Sequence, residues 1–433
     1  MDRRDFIKLA SLTGLTVVGS RAFAGGELGA PRKGERAPYT GPLYFNFQAS
    51  GGWESRFHCD PKLQLSDNEG NPRSHVTASE QIGEIEFAAE WPTQFFGAGG
   101  FAITDWYRKH ADHMTVINGI DQLTNGHDEG RRHTATGSLG TNYPTMGALM
   151  TASYDPSLPM GYLAFGGVTS TGGIVARTRA NNLDALARVA YPELADPNNP
   201  DSEYAPAAVR ELMTAAQEER DVALRAAQHL PRLQNSMDTL HAARSGSEEL
   251  RKLQDFLPDQ VEGGMNGQVQ VAFAAYQAGL CVAADFSRGG FDTHSNSDTQ
   301  AVAALESLLA AVDFAYDQAQ LLGLEDKLII TVGSDFTRTL GYNGAMGADH
   351  WPSGSVLAMG PGIPQNRQVG ATDDDGRPMG INPDLTVSAS GAARRIQPRD
   401  VHYSLRKVVG IEDNELSSQF TMRANDEPID LFA

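Results

Sequence analysis

The run KLIITVG, Lys327–Gly333, is the segment that most restricts what this chain can fold into. It is a continuous apolar, β-branched stretch with no polar alternation. Such a strand hides both of its faces, and sheets covered on both faces are typically parallel, with helices above and below. Shorter runs of strand character recur at Leu43–Gln48, Met114–Asn118, Gly161–Gly166, Cys281–Phe286 and Ser355–Met359. Between them fall helical patterns at Phe101–Ala111, Arg131–Leu139, Pro144–Ser153, Gln268–Leu280, Thr299–Leu322 and Val401–Val409. Strands alternating with helices predict an α/β fold, a doubly wound and mostly parallel sheet.

One stretch departs from this alternation. Pro206–Leu257 is rich in Ala, Glu, Gln and Arg, and Val209, Leu212, Met213 and Ala216 fall at i, i+3, i+4 and i+7. That spacing predicts an amphipathic helix, with Pro231 as a break. The expected organisation is an α/β domain over 42–433 carrying a helical insertion at about 203–259.

The N-terminus reads as an address. Arg3 and Arg4 precede a mildly apolar stretch, Leu9 to Val18, which ends in Arg21-Ala22-Phe23-Ala24. A basic start, a short apolar centre and a small-x-small end describe a removable signal peptide, residues 1–24. The apolar part is about half the roughly 20 residues a spanning helix needs. Paired arginines point to the twin-arginine route and a periplasmic or secreted protein. Gly25–Gly41, rich in Gly, Pro and charge, is the expected linker. With the signal removed, 31 Lys and Arg face 52 Asp and Glu, a net charge near −21. That balance argues against nucleic acid as a partner, which calls for a basic patch. No other segment is apolar enough to span a bilayer, so an integral membrane protein is not expected. The two cysteines, Cys59 and Cys281, leave a single disulfide open.

Ligands of open α/β sheets gather beyond the carboxyl ends of the strands. The residues that follow, or border, the predicted strands carry acids and histidines: Glu54; His127, Asp128, Glu129 and His133; Asp292 and His294; Asp335; and Asp349 with His350. Carboxylate oxygens and imidazole nitrogens are the donor set of divalent ions such as Zn²⁺ or Mn²⁺. Arg338 adds a guanidinium suited to a bidentate grip on phosphate or sulfate. His402, on the last predicted helix, reads as structural.

The wording of these segments resembles a bacterial family, domain of unknown function 1501, a sulfatase-like branch of the alkaline phosphatase superfamily. The resemblance covers most of the chain beyond the signal. It rests on ASGGWES at Ala49–Ser55, RGGFDTHSN at Arg288–Asn296, GSDFTRT at Gly333–Thr339, GADHWPSG at Gly347–Gly354 and DVHYSLRKVVGI at Asp400–Ile411. It implies an alkaline phosphatase or sulfatase type of sheet with a two-metal site. By position, Asp292, His294 and His350 would bind one ion, and Asp335 with Glu54 the other. The nucleophile's place falls between Thr124 and His127, where Thr124 is the only hydroxyl and His127 is an alternative ligand or acid/base. Two positions depart from the family pattern: Glu54 stands for the usual Asp, and Phe336 for an expected His. One ion, two, or none therefore stays open, as does its identity among Zn, Mn, Ca and Mg. The expected function is a metal-dependent hydrolase of phosphate or sulfate esters, acting on a small anionic ester or a sulfated or phosphorylated glycan. The alternative is a non-catalytic exported protein that uses the same pocket to bind a cation, a glycan or a protein partner.

Overall fold

The computed structural model describes residues 37–63, 66, 73–91, 103–197, 199–230, 233–234, 237, 247–388, 390, 393–424 and 426–433. The predicted signal peptide, most of the linker and Pro231 lie outside the described residues.

The strands are β1 (Leu43–Ala49), β2 (Ala78–Ile82), β3 (Ile85–Glu90), β4 (Met114–Asp121), β5 (Tyr162–Ala164), β6 (Ala283–Arg288), β7 (Leu328–Ser334), β8 (Thr337–Arg338), β9 (His350–Trp351), β10 (Ser353–Met359), β11 (Arg367–Val369), β12 (Gly380–Ile381) and β13 (Val387–Ser388). The helices are α1 (Ile103–His110), α2 (His127–Thr136), α3 (Met146–Tyr154), α4 (Leu183–Ala190), α5 (Ala207–Ala227), α6 (Ser247–Arg251), α7 (Leu253–Phe256), α8 (Gly264–Gln277), α9 (Ser297–Leu322), α10 (Pro398–Val408) and α11 (Glu415–Gln419). The main sheet has seven strands in the order β11-β4-β10-β7-β1-β6-β5 and is mostly parallel. The α/β class read from the alternation is therefore the fold observed.

The KLIITVG run becomes β7, buried at every position. Its neighbour β10 is also buried throughout and runs antiparallel to both β4 and β7. A strand inserted this way starts where its neighbours finish: Ser353 lies opposite Asp121, and Val356 opposite Gly333. The loop before β10 thus joins the loops after β4 and β7 at one sheet edge.

The chain divides into two compact units. One comprises residues 1–43, 147–165 and 169–284, and contains most of α3, β5 and α4 to α8. The amphipathic helix predicted here exists as α5, but it buries no residue: Leu212 is 72% exposed and Met213 63%. The other unit comprises residues 44–146, 166–168 and 285–433. Its longest helix, α9, buries Ala301, Val302, Leu305, Leu308, Leu309, Val312 and Ala315, the stripe that a 3.6-residue period predicts. The helix stops at Gly323 in the left-handed region (φ 65°), whose N–H caps the last turn. Cys59 and Cys281 are both buried free thiols.

Among the described residues, no helix is long and apolar enough to cross a membrane.

Candidate metal centre

Four strand ends in the second unit deliver the chemistry. β1 runs into the turn Gly51-Gly52, β4 into α2, β6 into the segment holding Asp292 and His294, and β7 into Asp335 and the short β8. β8 pairs with β9, placing Arg338 opposite His350. Gly51 (φ 124°) has a conformation that only glycine holds without strain, and a Cβ there would lie 2.5 Å from the Asp292 nitrogen. Gly130 fills a similar need on α2: a Cβ would stand 2.6 Å from the Asp335 carbonyl oxygen. These close approaches seat the β6 loop against the turn after β1, and α2 against the end of β7.

Helix α2 begins at His127, four residues before the predicted start at Arg131. His127 therefore sits on its first turn and not in a loop. Its Nδ1 lies 2.8 Å from Asp335 Oδ2, which also accepts from the Gly51 N–H at 3.1 Å. His350 donates from Nδ1 to the Asn125 carbonyl at 2.7 Å, and His294 from Nδ1 to Asp349 Oδ1 at 3.0 Å. Each of the three Nδ1 atoms faces an oxygen that accepts, so each carries the proton and leaves a lone pair on Nε2.

Those lone pairs converge. Asp292 Oδ1 is 3.3 Å from His127 Nε2, 3.1 Å from His294 Nε2 and 3.9 Å from His350 Nε2. The His294 and His350 Nε2 atoms are 3.1 Å apart. His127 Nε2 is buried with no hydrogen-bond partner. His127, Asp292 and His350 each offer a ligand atom within 4.8 Å of the others, a spacing that can hold a metal ion. Facing lone pairs beside a carboxylate repel one another unless a cation or proton lies among them, so the donor set fits a metal.

The electrostatics agree. Burial works against ionisation of Asp292, but the Arg338 hydrogen bond and charge, with His127 and His294, outweigh it and hold the carboxyl below its usual range. Hydrogen bonds from His294 and Asn343 hold the Asp349 carboxyl down. Burial pushes Asp335 up, with His127, Arg131 and Gly51 pulling back. Burial, helped by the nearby His127, Arg338 and His294, lowers His350 against the opposing Asn125 bond and so favours the neutral ligand form. The Asp292 and His294 side chains are 54% and 49% exposed, so a substrate can reach them.

Three predicted site residues have other employment. Glu54 is 3% exposed; its Oε1 accepts from the Ser297 hydroxyl, and its Oε2 pairs with Arg56 Nε at 2.8 Å. The carboxylate is spent there, and the structure does not bring Glu54 to the histidines. Arg338, read as an anion clamp, is 2% exposed. It donates to the carbonyls of Gly51, Gly52 and Ala348, to Asp292 Oδ1 at 2.6 Å and to His294 Nε2 at 3.4 Å. Five donors meet five internal acceptors, which leaves none for a substrate anion. Thr124 Oγ1 accepts from the Gly126 N–H at 3.1 Å, capping the turn before α2, one residue from the Asn125 carbonyl that holds His350.

His133 lies on α2 with its Nδ1 on the Gln122 carbonyl at 2.9 Å, and His402 Nε2 bonds the Thr134 carbonyl at 2.9 Å, a structural place as expected. The residues that sequence reading did not single out are Asn125 and Arg131. Arg131 is the more useful of the two: its side chain is one-third exposed, paired with Asp128 at 2.6 Å, bonded to Ser50 Oγ and the His127 carbonyl, and 4.0 Å from Asp335. Its sequence signal is only the i+4 spacing from His127.

Residues 49–431 match a family described as protein of unknown function (DUF1501). No curated protein matches the sequence. Among solved structures, the chain is similar to Ps i-CgsB in complex with k-i-k-neocarrahexaose, at 8% identity and TM-score 0.37, over 91% of this chain and 76% of that one. It is also similar to PsFucS1 sulfatase from Pseudoalteromonas sp., at 10% identity and TM-score 0.34, over 86% and 68%. A third is the alkaline phosphatase of the Antarctic bacterium TAB5, at 11% identity and TM-score 0.32, over 75% and 93%.

Proposed function

The chain belongs to the DUF1501 family, and from that premise we propose that it is an exported, metal-dependent hydrolase of phosphate or sulfate esters. The observation that carries the reading is the convergence of three imidazole Nε2 lone pairs on Asp292 Oδ1, each ring locked by an oxygen at Nδ1. His127, His294, His350 and Asp292 would hold a divalent ion. A donor set of three nitrogens and one carboxylate suits Zn²⁺ or a related transition ion better than Ca²⁺, which takes 6–8 oxygens. Such an ion polarises an ester oxygen and makes water a nucleophile near neutral pH.

The chain's own groups do the rest. Asp335, Asp349 and the Asn125 carbonyl fix the tautomer and direction of the three rings. Arg338 keeps Asp292 ionised and oriented. Arg131, partly open to solvent beside the cluster and paired only with the exposed Asp128 and more distantly with Asp335, is a better candidate than Arg338 to contact an ester's anionic oxygens. Thr124, whose Oγ1 caps the turn before α2, stays the hydroxyl proposed as nucleophile.

Full-length protein, exported and purified natively, tests the reading by elemental analysis and by hydrolysis of 4-nitrophenyl phosphate and 4-nitrophenyl sulfate. Bound divalent metal, with hydrolysis lost in Asp292→Ala, supports it. Metal-free protein whose unfolding midpoint ignores chelator would end it, and retained metal with neither activity would favour the non-catalytic binding role. The export route belongs to the same proposal: replacing Arg3 and Arg4 together by Lys should leave the protein in the cytoplasm.

A further inference from the structure

A centre with two ions needs anionic oxygens for both, and here each of the other predicted carboxylates already has an oxygen engaged. Glu54 is paired with Arg56 and Ser297. Asp335 is held by the Gly51 N–H and His127 Nδ1. Asp349 receives His294 Nδ1 and the Asn343 amide. Among the described residues, Asp292 Oδ1 is the carboxylate oxygen that faces the histidine Nε2 atoms, and there the first neighbour is a fixed positive charge, Arg338 Nη2 at 2.6 Å. Phe336, fully buried, closes the adjoining space with its ring 4.9 Å from that of His127 and 4.8 Å from that of His350, and it offers no donor.

Arg338 is not a mobile group that happens to rest there. Three backbone carbonyls fix its guanidinium, and the β8–β9 pairing fixes its backbone opposite His350. A guanidinium is, in proteins generally, a permanent positive charge. A second divalent ion sharing Asp292 would meet this charge at close range in a partly dry site, where repulsion is strong.

We propose that Arg338 is the built-in second cation of the centre, so that the site takes one divalent ion per chain. The inference rests on the metal reading above and goes beyond it by fixing the number of ions and giving Arg338 a positioning role.

The test uses full-length exported protein, stripped with chelator and titrated with zinc chloride, with stoichiometry read by calorimetry and elemental analysis. Wild type should bind one equivalent. Arg338→Lys, which keeps the charge, should also bind one, with affinity within about threefold. Arg338→Gln should bind a second equivalent, or bind the first at least tenfold more tightly. Two equivalents in wild type would overturn the role of Arg338 and leave the metal reading standing. Equal weakening in Arg338→Gln and Arg338→Lys would also overturn it, since that is what a purely structural arginine gives. No zinc in wild type would overturn the metal reading itself. If circular dichroism shows Arg338→Gln unfolded, the counts for wild type and Arg338→Lys decide.

Discussion

Two charged clusters in the same unit each set an arginine against carboxylates, yet they differ in kind. In one, Arg56 is 1% exposed, pairs with Glu54, and lies 3.8 Å from Asp298 Oδ1. Its other contacts are the Arg73 and Leu340 carbonyls and the ring faces of Phe57 and Tyr342. Asp298 Oδ2 in turn takes His75 Nδ1 at 2.6 Å and the Tyr342 hydroxyl at 2.9 Å. In the other, Arg338 and Asp292 meet beside three imidazoles, of which His294 alone also has Arg338 near its Nε2, and Asp292 is half open to solvent. Density of charge is similar in both. The difference is donor type and access: among the described residues, only the second gathers three imidazoles around a carboxylate half open to solvent.

The comparison breaks most visibly under Arg56→Met. That change strands Glu54 buried and unpaired, a situation worth about 3–5 kcal/mol of stability, and should leave the zinc count untouched. Urea unfolding with parallel metal analysis checks both halves. Asp292→Ala is the mirror image: it should weaken zinc by more than the roughly 10–100-fold expected of outer contacts, with a smaller cost in stability because the site is open. Calorimetric titration would reveal an unchanged affinity, which would dissolve the distinction. Asp349→Asn tests the supports of the open cluster. It leaves His294 in place but loosens its tautomer, and zinc affinity should fall by roughly 10–100-fold.

Acid gives the gentlest probe. Burial pushes His58 and His402 down to about 3, against 6.5 when exposed. Both belong to the scaffold around the clusters. Their folded values lie below their unfolded ones, so the unfolded chain binds the extra protons. Stability should be flat above pH 6.5 and fall below it, by at most about 1.4 kcal/mol per pH unit for each histidine, levelling off near pH 3. Denaturation midpoints at pH 7.5, 6 and 5 would show it.

The sheet was largely readable. The predicted Lys327–Gly333 strand is β7 at Leu328–Ser334, and Thr299–Leu322 is α9 at Ser297–Leu322, because continuous apolar runs and helical stripes are local signals. The direction of β10 was not, since a buried strand looks the same in sequence whichever way it runs. The hairpin β2–β3 was missed because its burial pattern is broken and partly exposed. At the centre, Asp292, His294 and His350 do come together, with His127. Glu54 could not be separated from them by sequence, because its partners are Arg56, two residues away, and Ser297, far along the chain. Arg338 was misread for the same reason: a guanidinium's role depends on how many acceptors the fold supplies, and three of its five are backbone carbonyls.

The antiparallel insertion of β10 carries a consequence in time. β4 and β7 cannot be neighbours; the strand between them is drawn from residues 353–359, and the histidine just ahead of it is the last of the four donors to leave the ribosome. His127 is synthesised more than two hundred residues earlier and waits without its partners. A nascent chain halted before β9 lacks His350, and lacks the strand that joins β4 to β7. On the proposed metal reading, capture is a late event, and products truncated before His350 should fail to retain zinc.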